Sequence, residues 1–124
     1  MRFMLLVHHN EAEFDRISED ERCRLLAESI ALTHELHAKG QYVSASPLHP
    51  TPTATVVRVR DGKSFVTDGP FAETREQLAG YFLIEARDQA DAAAIAAKVP
   101  GARIGSVEVR PVKDVAGLPD STAT

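Results

Sequence analysis

The alternation of apolar and polar positions at the start of the chain predicts a central strand followed by a long helix. Along residues 2–9 both faces are mostly apolar, as in a strand covered on two sides. Ser18 and Glu21 form a capping-box pattern, which begins a helix that should run to about Lys39. Its predicted apolar face comprises Leu25, Leu26, Ser29, Ile30, Leu32, Thr33 and Leu36.

Further strands and a second helix are predicted beyond this helix. Residues 41–48 form a strand that ends among prolines. A hairpin is centred on Asp61-Gly62, because Asp and Gly tolerate the positive φ of its turn. The remaining predicted elements are a short helical turn at 74–77, a strand at 80–86, a helix from Gln89 to about Val99 capped by Asp88, and a last strand at 102–111.

The order β-α-β-(β-hairpin)-β-α-β predicts an α+β fold. Specifically, we expect a ferredoxin-like βαββαβ domain with an inserted β-hairpin, in which two helices cover one face of an antiparallel sheet. This domain should span residues 1–112, followed by a polar C-terminal tail at 113–124. We expect Leu6, Phe82 and Ile84 on the second face of the sheet, where a second copy of the chain is the simplest cover.

Composition narrows the function classes. The 124 residues are 44% hydrophobic, which fits one soluble domain, and the net charge of −4 without a basic cluster argues against nucleic-acid binding. The apolar run at residues 3–7 is too short to span a membrane. A single cysteine, Cys23, excludes an intrachain disulfide and fits a reducing compartment. We therefore expect a cytoplasmic protein that contacts neither membrane nor nucleic acid.

The run Asp68-Gly69-Pro70-Phe71 predicts a rigid turn between two strands. The acidic residue of this turn, Asp68, has two possible roles. The carboxylate of Asp68 could accept backbone N–H groups of its own turn, or it could orient an imidazole that acts as an acid/base group. His8, at the end of the first strand, is the best candidate for that imidazole. His34 and His37 lie three apart on the first helix, but they lack further ligands, so no metal site is expected.

Several segments resemble one known family. The run 67–78 and the following Gly80-Tyr81-Phe82-Leu83-Ile84-Glu85 are similar to the DGPF branch of the YCII-related family. The opening Met4-Leu5-Leu6-Val7-His8, the segment 55–63 and the ending 107–112 resemble it too, so that the match covers residues 2–112.

The resemblance implies a homodimeric α+β barrel, in which two ferredoxin-like sheets pack face to face and each forms a cleft with the partner. The fold is similar to that of small dimeric enzymes of the muconolactone-isomerase type. A histidine and an aspartate have been proposed as an acid/base pair in YCII-type proteins, and the resemblance places His8 at the cleft. Some DGPF proteins are encoded beside sigma factors.

Two functions follow from these observations, and the sequence leaves open whether the protein is an enzyme. The first is a small enzyme without a cofactor or metal that performs isomerase- or lyase-like acid/base chemistry on an unknown small organic molecule at the dimer interface. His8 and Asp68 would be catalytic, and Phe71, Glu73 and Ser46 would line the binding site. The alternative is a non-catalytic ligand-binding or regulatory accessory protein, which the resemblance would link to sigma-factor systems and in which the Asp68 turn is scaffolding.

Overall fold

The computed structural model describes residues 1–119. Its elements, in chain order, are β1 (Arg2–His9), α1 (Glu11–Arg16), α2 (Glu19–Ala38), β2 (Tyr42–Pro47), a 3₁₀ turn (Thr51–Thr53), β3 (Thr55–Arg60), β4 (Lys63–Asp68), β5 (Gln77–Glu85), α3 (Gln89–Ala96), α4 (Gly101–Ile104) and β6 (Ser106–Pro111).

The main sheet has the strand order β2-β5-β1-β6, and all its neighbouring strands are antiparallel. This arrangement confirms the predicted ferredoxin-like α+β fold. The β3–β4 hairpin forms a separate two-stranded sheet. Its turn residues Asp61 and Gly62 have φ angles of 52° and 73°, as the Asp-Gly pair predicts.

The hydrophobic core lies between one face of the main sheet and the helices. Phe3, Leu5 and Ile84 are fully buried there, against Leu32 and Leu36 of α2. The prediction that Phe82 and Ile84 occupy the other face is wrong, because both belong to this core. The cause is the register of β5, which sets Ile84 opposite Phe3 of β1, and directly opposed residues share a face.

The open face of the sheet carries the alternate residues of the same strands. Met4 lies opposite Leu83, and Leu6 lies opposite Tyr81. These four side chains are half-buried in the single chain. The open face is therefore apolar along β1 and β5, although only Leu6 of the three predicted residues belongs to it.

The second helical region is shorter than predicted. The Asp88 carboxylate accepts the Asp91 N–H at 2.8 Å, which confirms the predicted cap of α3. However, α3 ends at Ala96, and the chain turns again into α4, where the Gly105 N–H donates to the Gly101 carbonyl at 2.8 Å. The last strand consequently starts at Ser106 rather than at residue 102.

Local hydrogen bonds explain three further differences. Asn10 caps a short helix, α1, which the sequence patterns did not predict. Ser18 accepts the Glu21 N–H as predicted, but the Glu21 carboxylate accepts hydrogen bonds from Arg24 rather than from the Ser18 backbone. The predicted helical turn at 74–77 is irregular, since the Thr74 hydroxyl donates to the Glu76 carbonyl.

The chain after β6 begins with a backbone hydrogen bond from Val112 to the carbonyl of Arg2. Residues 113–119 of the predicted tail belong to no helix or strand, and residues 120–124 lie outside the described part of the chain. Within residues 1–119, no helix combines the length and apolarity that crossing a membrane requires.

Candidate functional site

The alternation of β1 sends two consecutive histidines to opposite faces of the sheet. His9 follows Phe3, Leu5 and Val7 on the face that the helices cover, and it contacts Phe14 of α1. His8 is on the open face, where its Nε2 lies 3.8 Å from a carboxylate oxygen of Glu108. The two imidazoles therefore have different surroundings although they are neighbours in sequence.

His9 is held against an aromatic ring. Its ring centroid lies 4.3 Å from that of Phe14, and the two planes are inclined by only 11°. Burial lowers the pKa of His9 below its ordinary value, partly opposed by the charges of Glu11, Asp15 and Glu76. His9 is therefore mainly uncharged near neutral pH, and neither ring nitrogen has a hydrogen-bond partner within residues 1–119.

The position of α1 above His9 is set by polar contacts at its first residues. Asn10 caps the helix by accepting the Glu13 N–H at 2.9 Å, and its side-chain amide donates to the Arg75 carbonyl at 2.9 Å. The Glu11 carboxylate accepts the backbone N–H of Thr51 at 2.7 Å and its hydroxyl at 2.5 Å. These bonds tie α1 to two distant loops and so fix Phe14 beside His9.

Next to His9 the structure contains a cavity of about 340 Å³ between α2 and the main sheet. Its walls are mostly apolar, and it is open to solvent along α2, where Leu26 and Ile30 remain 52% and 50% exposed. Leu25 and Leu32 of the same helix are buried. A cavity of this size and polarity is typical of small-molecule sites.

Three polar side chains at the cavity, those of His9, Tyr42 and Arg22, have unused hydrogen-bonding groups. The hydroxyls of Ser29 and Thr33 donate to carbonyls of their own helix, at 3.0 and 2.6 Å. In contrast, the His9 imidazole and the Tyr42 hydroxyl have no hydrogen-bond partner in the described chain, and Arg22 uses one guanidinium nitrogen only. The cavity thus combines a base, a cation and a hydroxyl with an apolar wall.

The predicted catalytic pair belongs to two different sheets. His8 is in the main sheet, whereas Asp68 ends β4 of the hairpin and is exposed. Within residues 1–119, the carboxylate that lies within 4 Å of the His8 imidazole is that of Glu108, and no side chain or backbone group donates to the Asp68 carboxylate. The turn itself is closed by the Gly69 N–H, which donates to the Ala54 carbonyl at 2.7 Å, with Gly69 at φ 97°.

The three predicted binding residues are also dispersed. Phe71 is 77% exposed and is therefore not a core residue of the chain; the guanidinium carbon of Arg58 lies 5.5 Å from its ring centroid. Glu73 is exposed in the loop before β5. Ser46, on β2, lines the cavity beside α2.

Comparison with known proteins gives the family. A model of the YCII-related domain matches residues 1–116. The chain belongs to the YCII-related domain family. This YCII-related protein is also 32% identical to an uncharacterized protein of Rhizobium meliloti (strain 1021) over 114 residues, which cover 90% of this chain and 92% of that protein. The resemblance is thus confirmed for the family, and its DGPF branch stays a prediction.

The site residues missed by sequence reasoning in this YCII-related protein are His9, Phe14 and Arg22. One signal was present: His9 continues the apolar series of Phe3, Leu5 and Val7, so it had to lie under the helices. Arg22 gave no signal, because it stands among charged residues of a helix start. No group of three or more His, Cys, Asp or Glu side chains in residues 1–119 is arranged to hold a metal ion.

Proposed function

We propose that this YCII-related protein is an enzyme that needs no cofactor and moves a proton within a small organic molecule. The observation that carries the proposal is His9, an imidazole kept uncharged by burial at the edge of an apolar cavity. A neutral imidazole with an unpartnered nitrogen can accept a proton from carbon near neutral pH.

The step balances without a co-reactant. His9 would accept a proton from a carbon next to a carbonyl group, which leaves an enolate in the cavity. The imidazolium would then return the proton to another atom of the same molecule, which completes an isomerisation.

His8 and Asp68 support a second version of the same chemistry on the open face of the sheet. Since no hydrogen bond or ion pair joins them within residues 1–119, this version has a second copy cover the open face and bring its own Asp68 to His8. Glu108, a carboxylate oxygen of which lies 3.8 Å from His8 Nε2, would be a second acid in that cleft. Phe71 and Glu73, which follow the Asp68 turn, would then reach the same cleft.

A proton-transfer assay tests both versions without a known substrate. The protein is incubated in D₂O with a library of ketones, keto acids and unsaturated lactones, and deuterium incorporation at carbon is followed by NMR. We expect His9→Gln to abolish protein-dependent exchange, and His8→Gln, its neighbour on the opposite face, to retain it. The reverse result would assign the chemistry to the open face.

A non-catalytic accessory role remains the competing function. It predicts that compounds bind to the protein but that no compound exchanges protons faster than in buffer. Asp68→Ala adds a second discriminator. Because the described chain gives its carboxylate no hydrogen bond, we expect an unchanged melting temperature, so a loss of exchange in this variant would indicate a chemical role.

A further inference from the structure

Arg22 differs from two helix arginines that form ion pairs, Arg24 and Arg103. Arg24 and Arg103 are exposed, and each lies 2.6 Å from a glutamate oxygen. Arg22 is half-buried, and no carboxylate within residues 1–119 lies within 4 Å of its guanidinium. A guanidinium removed from water without a counterion is unfavourable, and it is well suited to a ligand that supplies one.

The orientation of Arg22 is already fixed. Its Nη1 donates to the carbonyl of Ile17, the C-cap of α1, and, at 3.4 Å, to the carbonyl of Asp15 in the last turn of that helix. Its guanidinium carbon is 6.0 Å from the centroid of the Phe14 ring. Because Nη1 makes both of these bonds, Nε and Nη2 keep their donors for a ligand in the adjoining cavity.

The rest of the cavity sets the character of that ligand. The wall opposite α2 comes from β2 and β5 and includes Ala45 and Phe82, while Leu25 and Ile30 line the helix side. These apolar surfaces favour an apolar body. The acids Glu11 and Asp15 near His9 would repel an anion that is not in contact with Arg22. A negatively charged group in the cavity therefore needs a direct hydrogen bond from Arg22 to offset this repulsion.

From this geometry we infer that the cavity binds a small organic carboxylic acid, with its carboxylate on Arg22 and its apolar body between α2 and the sheet. The inference rests on the cavity of the proposed function and names its substrate class. It places the reacting carbon of such an acid on the His9 side of the cavity, since His9 and Arg22 both flank Phe14. The charge on Arg22 would also orient the acid before proton transfer.

Binding of matched acids and amides tests the inference without any turnover. Benzoate and hexanoate are compared with benzamide and hexanamide by saturation-transfer NMR and calorimetry. We expect the acids to bind at least about tenfold more tightly than the amides, a difference of about 1.4 kcal/mol. In Arg22→Gln this preference should fall to about one, whereas Arg24→Gln, the matched exposed control, should keep it.

Two further variants keep the test decisive. If Arg22→Gln does not fold, Arg22→Lys retains the charge without the planar fork, and a reduced acid preference is expected. Ser29→Leu, which narrows the cavity without removing a contact to another element, should weaken acids and amides alike. Three results would each overturn the inference. The first is equal binding of acids and amides to the wild-type protein, and the second is an unchanged preference for acids in both Arg22 variants. The third is no binding at all because another part of the chain or a second copy fills the cavity.

The outcome is separable from that of the proposed function. Acid binding that depends on Arg22, together with unchanged proton exchange in His9→Gln, would retain this inference and refute catalysis by His9. Proton exchange that depends on His9, in a protein that binds acids no more tightly than amides, would retain catalysis by His9 and refute this inference.

Discussion

The imidazole of His9 lies flat on the ring of Phe14, with centroids 4.3 Å apart, and this contact joins the end of β1 to α1. The stack explains why a titratable group adjoins an apolar cavity without a polar partner in the described chain. It buries one face of the imidazole and leaves the ring edge, which carries both nitrogens, for other contacts. The properties of His9 should therefore depend on Phe14 and on the bonds that hold α1.

The pH dependence of stability should report the buried imidazole. The pKa of His9 is lowered in the folded protein, so the unfolded chain binds more protons as pH falls below about 6.5. Stability from this group is therefore complete above that pH and is lost as pH falls through the lowered pKa of His9.

Urea titrations between pH 7.5 and 5 measure this slope. His9→Gln should flatten it, whereas the exposed His49→Gln should leave it unchanged. Glu85, whose pKa is lowered by its hydrogen bond from Arg2, changes stability mainly below this pH range. An NMR titration in which His9 protonates at or above its pKa in the urea-unfolded chain would contradict the prediction.

Removal of the Phe14 ring should change both stability and proton affinity. We expect Phe14→Ala to lower the free energy of unfolding by about 1–2 kcal/mol, because a half-buried aromatic pair is lost. It should also raise the pKa of His9, since the imidazole gains access to water. Phe71→Ala is the matched control, and its 77% exposed ring predicts a change within about 0.5 kcal/mol. Equal effects in the two variants would refute the role given to the stack.

The contact of Glu11 with Thr51 should matter more than the charge of α1. Glu11→Ala removes both acceptors from the Thr51 N–H and hydroxyl, and we expect a loss of about 1–3 kcal/mol in the free energy of unfolding. Glu13→Ala removes an exposed acid from the first turn of the same helix and should cost little. Denaturation curves for both variants measure the difference, and a similar loss in each would point to helix charge instead.

The approach of Gly105 to β1 predicts a site that does not tolerate a side chain. A Cβ atom at this position would lie 2.0 Å from the His8 carbonyl oxygen and 3.0 Å from the His9 Cα. Gly105→Ala should therefore displace the backbone between the two histidines and destabilise the protein by about 1–3 kcal/mol. Ser106→Ala, at the adjoining exposed position, serves as the control; a Gly105→Ala melting temperature equal to that of wild type would count against the prediction.

The open sheet face should determine the oligomeric state that we propose. Met4, Leu6, Tyr81 and Leu83 form a half-buried surface that a second copy could cover. We expect light scattering to give twice the chain mass for the wild type and a monomer for Leu83→Glu. Leu26→Glu, on the exposed side of α2, should remain dimeric. Dissociation by Leu26→Glu rather than by Leu83→Glu would place the interface at the helices.

Much of the fold could be predicted from local patterns. The Ser18 and Asp88 caps, the Asp61-Gly62 turn and the alternation along β1 each depend on a few neighbouring residues, and each is present in the structure. Local patterns did not predict where the second helical region ends and the last strand begins. After Pro100 the chain turns once more before β6 begins.

The sequence by itself determined most of the strands, the two main helices, the family and the opposition of His8 to His9, because strand periodicity and end caps act over a few residues. Only the tertiary structure decided which face of β5 is buried, since that depends on its register with β1, a strand far away in the sequence. The same holds for the cavity and for Arg22. Their positions follow from the packing of α2 on the sheet and from the contacts of Arg22 with the end of α1.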